Sequence, residues 1–224
     1  LTAARTCGGL VAAALLLGVV VTFYAGGEGG DDVADVGSAT GPNVLLIIAD
    51  TLRADHVGAY GAGLATTPSL DALAADGVVF KNATAQSSWT RPSIATILTS
   101  MYPASHQVMH KTDLLPPEVT TLAEHLGDNG YATGGFVTNI NVAPSFSFEQ
   151  GFDVYRYLAP NFFFGATDSG SKLALYGGMR LVRERFLSGS KQVDHYYQDG
   201  TTVNGASLPW LDQADEGAFF ALVH

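Results

Sequence analysis

The stretch most informative about the fold is Val44-Leu-Leu-Ile-Ile-Ala49, which Asp50 follows directly in a chain of 224 residues. A continuous apolar run of this length is typical of a strand that is covered on both faces in a parallel sheet. Functional side chains collect beyond the carboxyl ends of such strands. The run therefore predicts a buried strand that presents Asp50 at a site, although an Asp that leaves a strand can also cap a turn.

Helix-like and strand-like segments alternate after this run. Capping residues, Pro at first helical positions and terminating Gly mark the helices, and short apolar runs mark the strands. This alternation predicts an α/β fold whose mainly parallel sheet is flanked by helices. The predicted helices are Thr67–Gly77, Pro92–Thr99, Thr120 or Thr121 to Gly130, and Tyr196–Asp212; the predicted strands are Val78–Phe80, Tyr131–Thr138 and Ala218–Val223. No element is predicted between Phe146 and Ser190.

The N-terminal stretch Thr6–Gly27 contains no charged residue. As a helix it would be about 33 Å long, which is enough to cross a bilayer. Arg5 precedes it and acidic residues follow it, which favours an N-terminus inside and an exported remainder. We therefore predict a signal anchor or signal peptide over 1–27, a flexible acidic tether over 28–41 and a globular domain over 42–224.

This arrangement predicts a membrane-anchored protein, held by its N-terminal helix, with the globular domain in the periplasm or outside the cell. If the signal is cleaved, the domain is secreted instead. Small residues at Ala25-Gly26-Gly27 suit a peptidase, whereas the length of the apolar run favours the anchor.

Composition excludes several classes of protein. The chain is 47% hydrophobic and 14% charged, so it can bury a core and is not a disordered polar chain. Its net charge of −10 argues against a general nucleic-acid-binding surface, which needs clustered Lys and Arg. The single Cys7 excludes an intrachain disulfide framework and a thiolate zinc cluster.

The candidate chemistry lies at Asp50 and in the segment Ser88-Trp-Thr-Arg-Pro-Ser93. A carboxylate at a strand end is a good ligand for a divalent cation. Thr90 lies at or near a helix start, where free N–H groups favour phosphate or sulfate, and a metal could activate its hydroxyl to attack an ester. Arg91 could neutralise the developing charge. Taken alone, Thr90 also suits a helix cap and Arg91 a solvent-exposed position.

The histidines show no paired metal-binding spacing. His106 is predicted to lie in a loop after the Thr90 helix, where it could line a site. His56, His110 and His125 are interpreted as structural or surface residues.

Several motifs occur in the order found in one known family. Together they resemble the N-terminal half of a sulfatase-family protein of the alkaline phosphatase superfamily. The matching segments are Pro42–Gly58, Tyr60-Gly61, Thr67–Asp71, Ser88–Ser93, Leu98–Pro103, Thr121–Glu124, Gly130-Tyr131 and, more weakly, Gly151–Asp153 with the strand that ends at His224.

The resemblance implies an alkaline-phosphatase-like sheet, a metal ligand at Asp50 and a metal-bound nucleophile at Thr90. Thr90 falls where sulfatases carry the Cys or Ser that becomes formylglycine, and Ile94 falls where an arginine supports that residue. The segment Val137–Ile140 stands where sulfatases commonly carry Gly-Lys-Trp-His, so the sulfate-binding Lys and His are absent. An unmodified Thr instead resembles the phosphatase, phosphomutase and phosphoethanolamine-transferase branches, which form a covalent phosphoryl intermediate.

The resemblance also implies a divalent metal ion as cofactor. Ca²⁺ or Mg²⁺ would suit a sulfatase-like oxygen site, and Zn²⁺ or Mn²⁺ would suit the Thr branches. In the family the remaining metal ligands lie in a later segment, beyond His224, so we expect a truncated catalytic domain that is inactive by itself.

The leading hypothesis is a membrane-tethered, metal-dependent hydrolase of sulfate or phosphate esters, with an anionic ester as substrate, Thr90 and Arg91 as catalytic residues and Asp50 as metal ligand. Two alternatives stay open. One is a noncatalytic sulfatase-like binding module at the cell surface, and the other is a phosphoethanolamine-type transferase.

Overall fold

The computed structural model describes residues 37–63, 65–158 and 198–224. In these ranges four strands form one parallel sheet with the order β1-β4-β2-β3. The strands are β1 (Val44–Ile47), β2 (Ala132–Val137), β3 (Val154–Tyr157) and β4 (Phe219–Val223). The predicted α/β class with a parallel sheet is confirmed.

Five α-helices are described in the same ranges. They are α1 (Pro68–Asp76), α2 (Thr90–Thr99), α3 (Pro103–His106), α4 (Leu122–Asp128) and α5 (Gly200–Ala214), with 3₁₀ turns at Ala54–His56, Gly58–Tyr60, Ile140–Val142 and Pro144–Phe146. Four of them correspond to predicted helices. Helix α5 differs most from its predicted range. Asp199 is its N-cap residue and accepts a hydrogen bond from the Thr202 backbone N–H, so the helix begins at Gly200, later than predicted.

The helices cover the sheet from two sides. Ile94 and Leu98 of α2 and Ala123 of α4 pack with Phe220 and Leu222 on one face of β4. On the other face, Trp210 of α5 packs with Phe136 and Phe219. Alternate residues of β4 thus enter two separate cores, as expected for a strand inside a three-layer α/β fold.

Two strand predictions are corrected. Within the described ranges β1 is covered on one face only, because α5 packs over β2 and β4, and Leu45 and Ile47 are 48% and 66% exposed. Val78–Phe80 forms no strand, and Val78 and Phe80 are exposed after the end of α1. β3 lies in the stretch where no element was predicted, since its Val-Tyr-Arg-Tyr sequence lacks a continuous apolar run.

The predicted N-terminal helix lies outside the described residues, as does 28–36 of the predicted tether. The end of that tether, 37–41, runs beside the sheet, where the Ala39 backbone N–H donates to the Gly130 carbonyl oxygen at 2.9 Å. Among the helices that are described, none is both long enough and apolar enough to span a bilayer.

Candidate active site at the carboxyl edge of the sheet

Asp50 lies in a tight turn just beyond the end of β1. The residue after it, Thr51, has φ of 59°, a left-handed conformation that is uncommon for a β-branched side chain and costs about 1 kcal/mol or more. The Asp50 side chain is 29% exposed, so its carboxylate is half-buried but open to a ligand. Strand and turn together hold it at the edge where the sequence predicted a site.

Thr90 is the first residue of α2, with Trp89 at the N-cap position. Its Oγ1 donates a hydrogen bond to Asp50 Oδ2 at 2.8 Å. Two segments that are forty residues apart thus place a hydroxyl against a carboxylate, beside the N-terminal end of a ten-residue helix. The sequence predicted both residues, and the structure brings them together.

Asn139 joins the same cluster from the end of β2. Its Nδ2 donates to Asp50 Oδ2 at 2.9 Å, and its side chain is buried. Sequence reasoning missed this residue, because a neutral amide matches no metal-ligand or nucleophile pattern. Its position directly after a predicted strand could have identified it, because functional side chains collect beyond the carboxyl ends of such strands, which is also the reason that Asp50 was selected.

His224 approaches from the end of β4. Its Nε2 lies 3.8 Å from Asp50 Oδ2, its side chain is only 2% exposed, and neither ring nitrogen has a hydrogen-bond partner among the described residues. Burial lowers the pKa of His224, and the neighbouring Asp50 carboxylate opposes this shift only in part. Burial thus favours the neutral form of this imidazole, and both of its nitrogens are without a partner in the described part of the chain. The sequence marked the strand that ends here but not the histidine as a site residue.

Arg91 lies next to Thr90 in sequence but points to other partners. Its buried guanidinium contacts the carbonyl oxygens of Lys111, Asp113 and Asn141, and its Cζ lies 3.4 Å from the Phe146 ring centroid. Burial lowers the pKa of Arg91, while Asp113 opposes the shift. These contacts connect α2 to the loops that contain Lys111 and Asn141. The role in charge neutralisation that the sequence suggested for Arg91 stays a prediction.

His106 does not line the site, and that expectation is corrected. It ends α3 inside the core, fully buried, where its Nδ1 accepts the Val108 backbone N–H at 3.0 Å. Its Nε2 lies 3.1 Å from Thr96 Oγ1. The three histidines interpreted as structural or surface residues, His56, His110 and His125, are exposed.

The cluster supplies part of the donor set for a divalent cation. Asp50 offers a carboxylate, Thr90 a hydroxyl and His224 a neutral imidazole without a protein partner. Within the described ranges, no three His, Cys, Asp or Glu side chains lie close enough together to hold a metal ion. Asp50, Thr90 and His224 thus fit a part of the ligand set of a metal site. The His224 imidazole suits Zn²⁺ or Mn²⁺ better than Ca²⁺, which prefers oxygen ligands.

The chain is an α/β protein with a hydroxyl and a carboxylate at the carboxyl edge of a parallel sheet, and the family model that it matches places it in the alkaline phosphatase superfamily. Within that superfamily it belongs to the sulfatase family, whose family model matches residues 42–224. The match begins where the sequence predicted the start of the globular domain.

Two characterised sulfatases are similar to part of the chain. Bovine (Bos taurus) arylsulfatase A is 39% identical over 108 residues, which are 45% of this chain and 21% of that protein. An N-acetylgalactosamine-6-O-sulfatase of Bacteroides thetaiotaomicron is 38% identical over 101 residues, 42% of this chain and 19% of that protein. The chain thus matches about a fifth of the length of these relatives.

Solved structures support the fold. A phosphonate monoester hydrolase of Agrobacterium radiobacter superposes with a TM-score of 0.57 at 24% identity, over 81% of this chain and 40% of that one. At this identity the likeness concerns the fold.

Proposed function

We propose that the whole protein is a metal-dependent hydrolase of sulfate or phosphate esters that uses Thr90 as its nucleophile. The observation that carries the proposal is the 2.8 Å hydrogen bond from Thr90 Oγ1 to Asp50 Oδ2 at the carboxyl edge of the sheet. Membership of the sulfatase family supports ester hydrolysis, and relatives named as sulfatases support a sulfate ester among the substrates.

In this mechanism Thr90 Oγ1 attacks the sulfur or phosphorus atom of the ester. The bond from Oγ1 to that atom forms and the bond to the ester oxygen breaks, so that the alcohol leaves as an alkoxide that takes a proton from water. The hydroxyl proton of Thr90 passes to Asp50 Oδ2, the oxygen it already contacts. Water then cleaves the Thr90 ester, and the proton returns to Oγ1. The N-terminal end of α2 stabilises negative charge on the transferred group.

Asp50, Thr90 and His224 are the described residues that would hold a divalent metal ion. When bound, such an ion lowers the pKa of the nucleophile and stabilises negative charge on the transferred group. His224 suits a ligand role because burial favours the neutral form of its ring and no other described residue hydrogen-bonds to it.

An unmodified threonine is favoured over formylglycine chemistry at this site. Ile94, which stands where sulfatases carry the supporting arginine, is only 3% exposed and packs into the core with Leu98 and Phe220. No guanidinium can therefore act from that position. This observation favours phosphate esters as substrates beside sulfate esters, and it keeps group transfer to an alcohol, as in the phosphoethanolamine-type alternative, as the second candidate.

The test replaces Thr90 in the full-length protein. We expect Thr90→Ala to lower turnover of aryl phosphate and aryl sulfate by about 10³-fold or more, because the attacking atom is removed. Thr99→Ala is a matched control on the same helix, since Thr99 Oγ1 bonds only to backbone groups near the end of that helix: it donates to the Ala95 carbonyl oxygen and accepts the Met101 N–H. Unchanged turnover by Thr90→Ala would exclude Thr90 as the nucleophile.

Metal content separates the enzyme from the noncatalytic binding module. The proposal expects a bound divalent cation whose removal by a chelator abolishes turnover and whose return restores it. A full-length protein with no bound cation and no turnover on a broad ester panel would instead be a binding module. Adding an alcohol acceptor distinguishes hydrolase from transferase, because only the transferase forms the new ester in preference to free phosphate.

A further inference from the structure

Asp50 Oδ2 receives a second hydrogen bond that the nucleophile does not supply. It comes from Asn139 Nδ2, at 2.9 Å. Asn139 Oδ1 in turn accepts two bonds from Asn141, from its backbone N–H at 3.0 Å and from its Nδ2 at 3.1 Å. The carboxylate oxygen that faces Thr90 is therefore tied to a chain of amide side chains.

This series of hydrogen bonds begins at the guanidinium of Arg91. Its Nε donates to the Asn141 carbonyl oxygen at 3.1 Å and its Nη2 lies 3.4 Å from Asn141 Oδ1. A guanidinium can only donate, so it fixes Asn141 with Oδ1 towards Arg91 and Nδ2 towards Asn139. The Asn141 backbone N–H likewise can only donate, which orients Oδ1 of Asn139 towards it and Nδ2 towards Asp50.

One series of donors in this network consequently leads from Arg91 to a single carboxylate oxygen. Arg91 donates to Asn141, Asn141 to Asn139, and Asn139 and Thr90 both donate to Asp50 Oδ2. Because the orientations follow from donor-only groups, the Asn139 amide cannot turn over without losing its bonds to Asn141. Bonds aligned in this way also polarise and strengthen one another.

We propose that Asn139 is a positioning residue of the reaction. Its Nδ2–H fixes Asp50 Oδ2 and, through that oxygen, the direction of the Thr90 hydroxyl, with Asn141 and Arg91 holding the amide in place. This inference rests on the proposed function, since it assigns a task only if Thr90 attacks the ester. It also gives Arg91 a task in the site that does not require contact with the substrate.

A purely structural role for Asn139 is the competing explanation. Its Oδ1 caps the 3₁₀ turn Ile140–Val142 by accepting the Asn141 backbone N–H. Asn139→Asp separates the two roles, because an aspartate keeps the capping oxygen but replaces the donor towards Asp50 with an acceptor. The added carboxylate also repels Asp50, so Asn139→Ser, which keeps a neutral capping oxygen and has no amide donor, is measured beside it. A capping role predicts a normal kcat in Asn139→Ser, whereas a positioning role predicts a lowered kcat in both variants.

The experiment measures kcat and KM of the full-length enzyme on an aryl phosphate, together with its thermal midpoint and metal content. We expect Asn139→Asp to lower kcat about 10²-fold with little change in KM or thermal midpoint, since a misaligned nucleophile slows the chemical step. Asn141→Ala, which removes one of the two bonds that hold Asn139, should lower kcat less and in the same direction. Asn129→Asp makes the same chemical change at an exposed residue at the end of α4 and serves as the control.

The outcomes are distinct. An unchanged kcat in Asn139→Asp, or a raised KM with unchanged kcat, would overturn the positioning role while Thr90→Ala still tests the nucleophile. A fall in kcat that only follows a loss of bound metal or of folded protein also overturns it. Turnover that survives Thr90→Ala would instead remove the proposed function on which the inference rests.

Discussion

At the scale of single residues, His106 is held in its neutral form by two fixed partners. Its Nδ1 accepts the Val108 backbone N–H, so the ring proton must sit on Nε2, which faces Thr96 Oγ1. A second proton on Nδ1 would point directly at an N–H group. Burial accordingly lowers the pKa of His106.

We predict that His106 makes the protein less stable as the pH falls. Its pKa in the folded state lies below the value of about 6.5 in the unfolded state, so its contribution is complete above that pH and is lost as the pH falls towards the folded pKa. The loss from one such group is at most about 1.4 kcal/mol per pH unit. The free energy of unfolding in urea at pH 7.5 and pH 5 measures it.

His106→Asn supplies the comparison for this prediction, because an amide oxygen can accept the Val108 N–H and does not titrate. The variant should be less stable at pH 7.5 and should lose less stability than the wild type between pH 7.5 and pH 5. Equal losses in wild type and His106→Asn would contradict the assignment.

Residue chemistry explains which members of the site the sequence could predict. Asp50 and Thr90 were found because a carboxylate after a buried strand and a hydroxyl at a helix start each imply a chemistry. Asn139 and His224 carry no such spacing, and only the sheet order, which sets the ends of β1, β2 and β4 side by side, brings them to Asp50. That order depends on pairings between distant segments, which local patterns do not contain.

At the scale of elements, β2 depends on two glycines that face opposite sides of the sheet. A Cβ built on Gly134 would lie 2.7 Å from the Trp210 ring of α5, and one on Gly135 would lie 2.4 Å from the Tyr155 ring of β3. The missing side chains let the large rings pack directly on the central strand. The absence of a side chain at Gly134 therefore allows α5 to pack this close to the sheet.

We predict that Gly134→Ala destabilises the protein by about 1–3 kcal/mol, because the added methyl group forces the Trp210 ring and α5 away from β2. The free energy of unfolding from a urea titration checks it. Gly205→Ala is the matched control, since an added Cβ there meets open space on α5. It should stabilise the helix by about 0.5–1 kcal/mol. An unchanged or higher stability of Gly134→Ala would show that α5 can move away without cost.

Local patterns predicted these elements unevenly. Helix α4 was predicted well because Thr121 and Glu124 form a capping box, a signal contained within four residues. The burial of β1 was overestimated, since an apolar run does not reveal which of its faces a helix will cover. Val78–Phe80 has strand composition but no neighbouring strand to pair with in the described sheet.

At the scale of the whole molecule, the uncharged stretch Thr6–Gly27 and the acidic residues after it support export and a membrane tether. We propose this localisation as part of the function, because a tethered ester hydrolase would act on substrates outside the cytoplasm. Because the sequence carries a net charge of −10, the proposed function requires local positive groups, such as the proposed metal ion at Asp50, to attract an anionic ester.

We predict that the full-length protein stays in the membrane fraction after alkaline carbonate washing, and that the double substitution Leu15→Arg and Leu16→Arg releases it. Each arginine at the centre of the apolar run costs about 2.5–3.5 kcal/mol of insertion free energy. Leu73→Arg makes the same change at an exposed position on α1 and should leave the protein in the membrane. The mass of the mature N-terminus then separates anchor from signal peptide: cleavage after the small residues near Ala25 gives a secreted domain, and an intact N-terminus gives an anchored one. A protein that is uncleaved, washes off with carbonate and is indifferent to the two arginines would contradict both forms of the proposal.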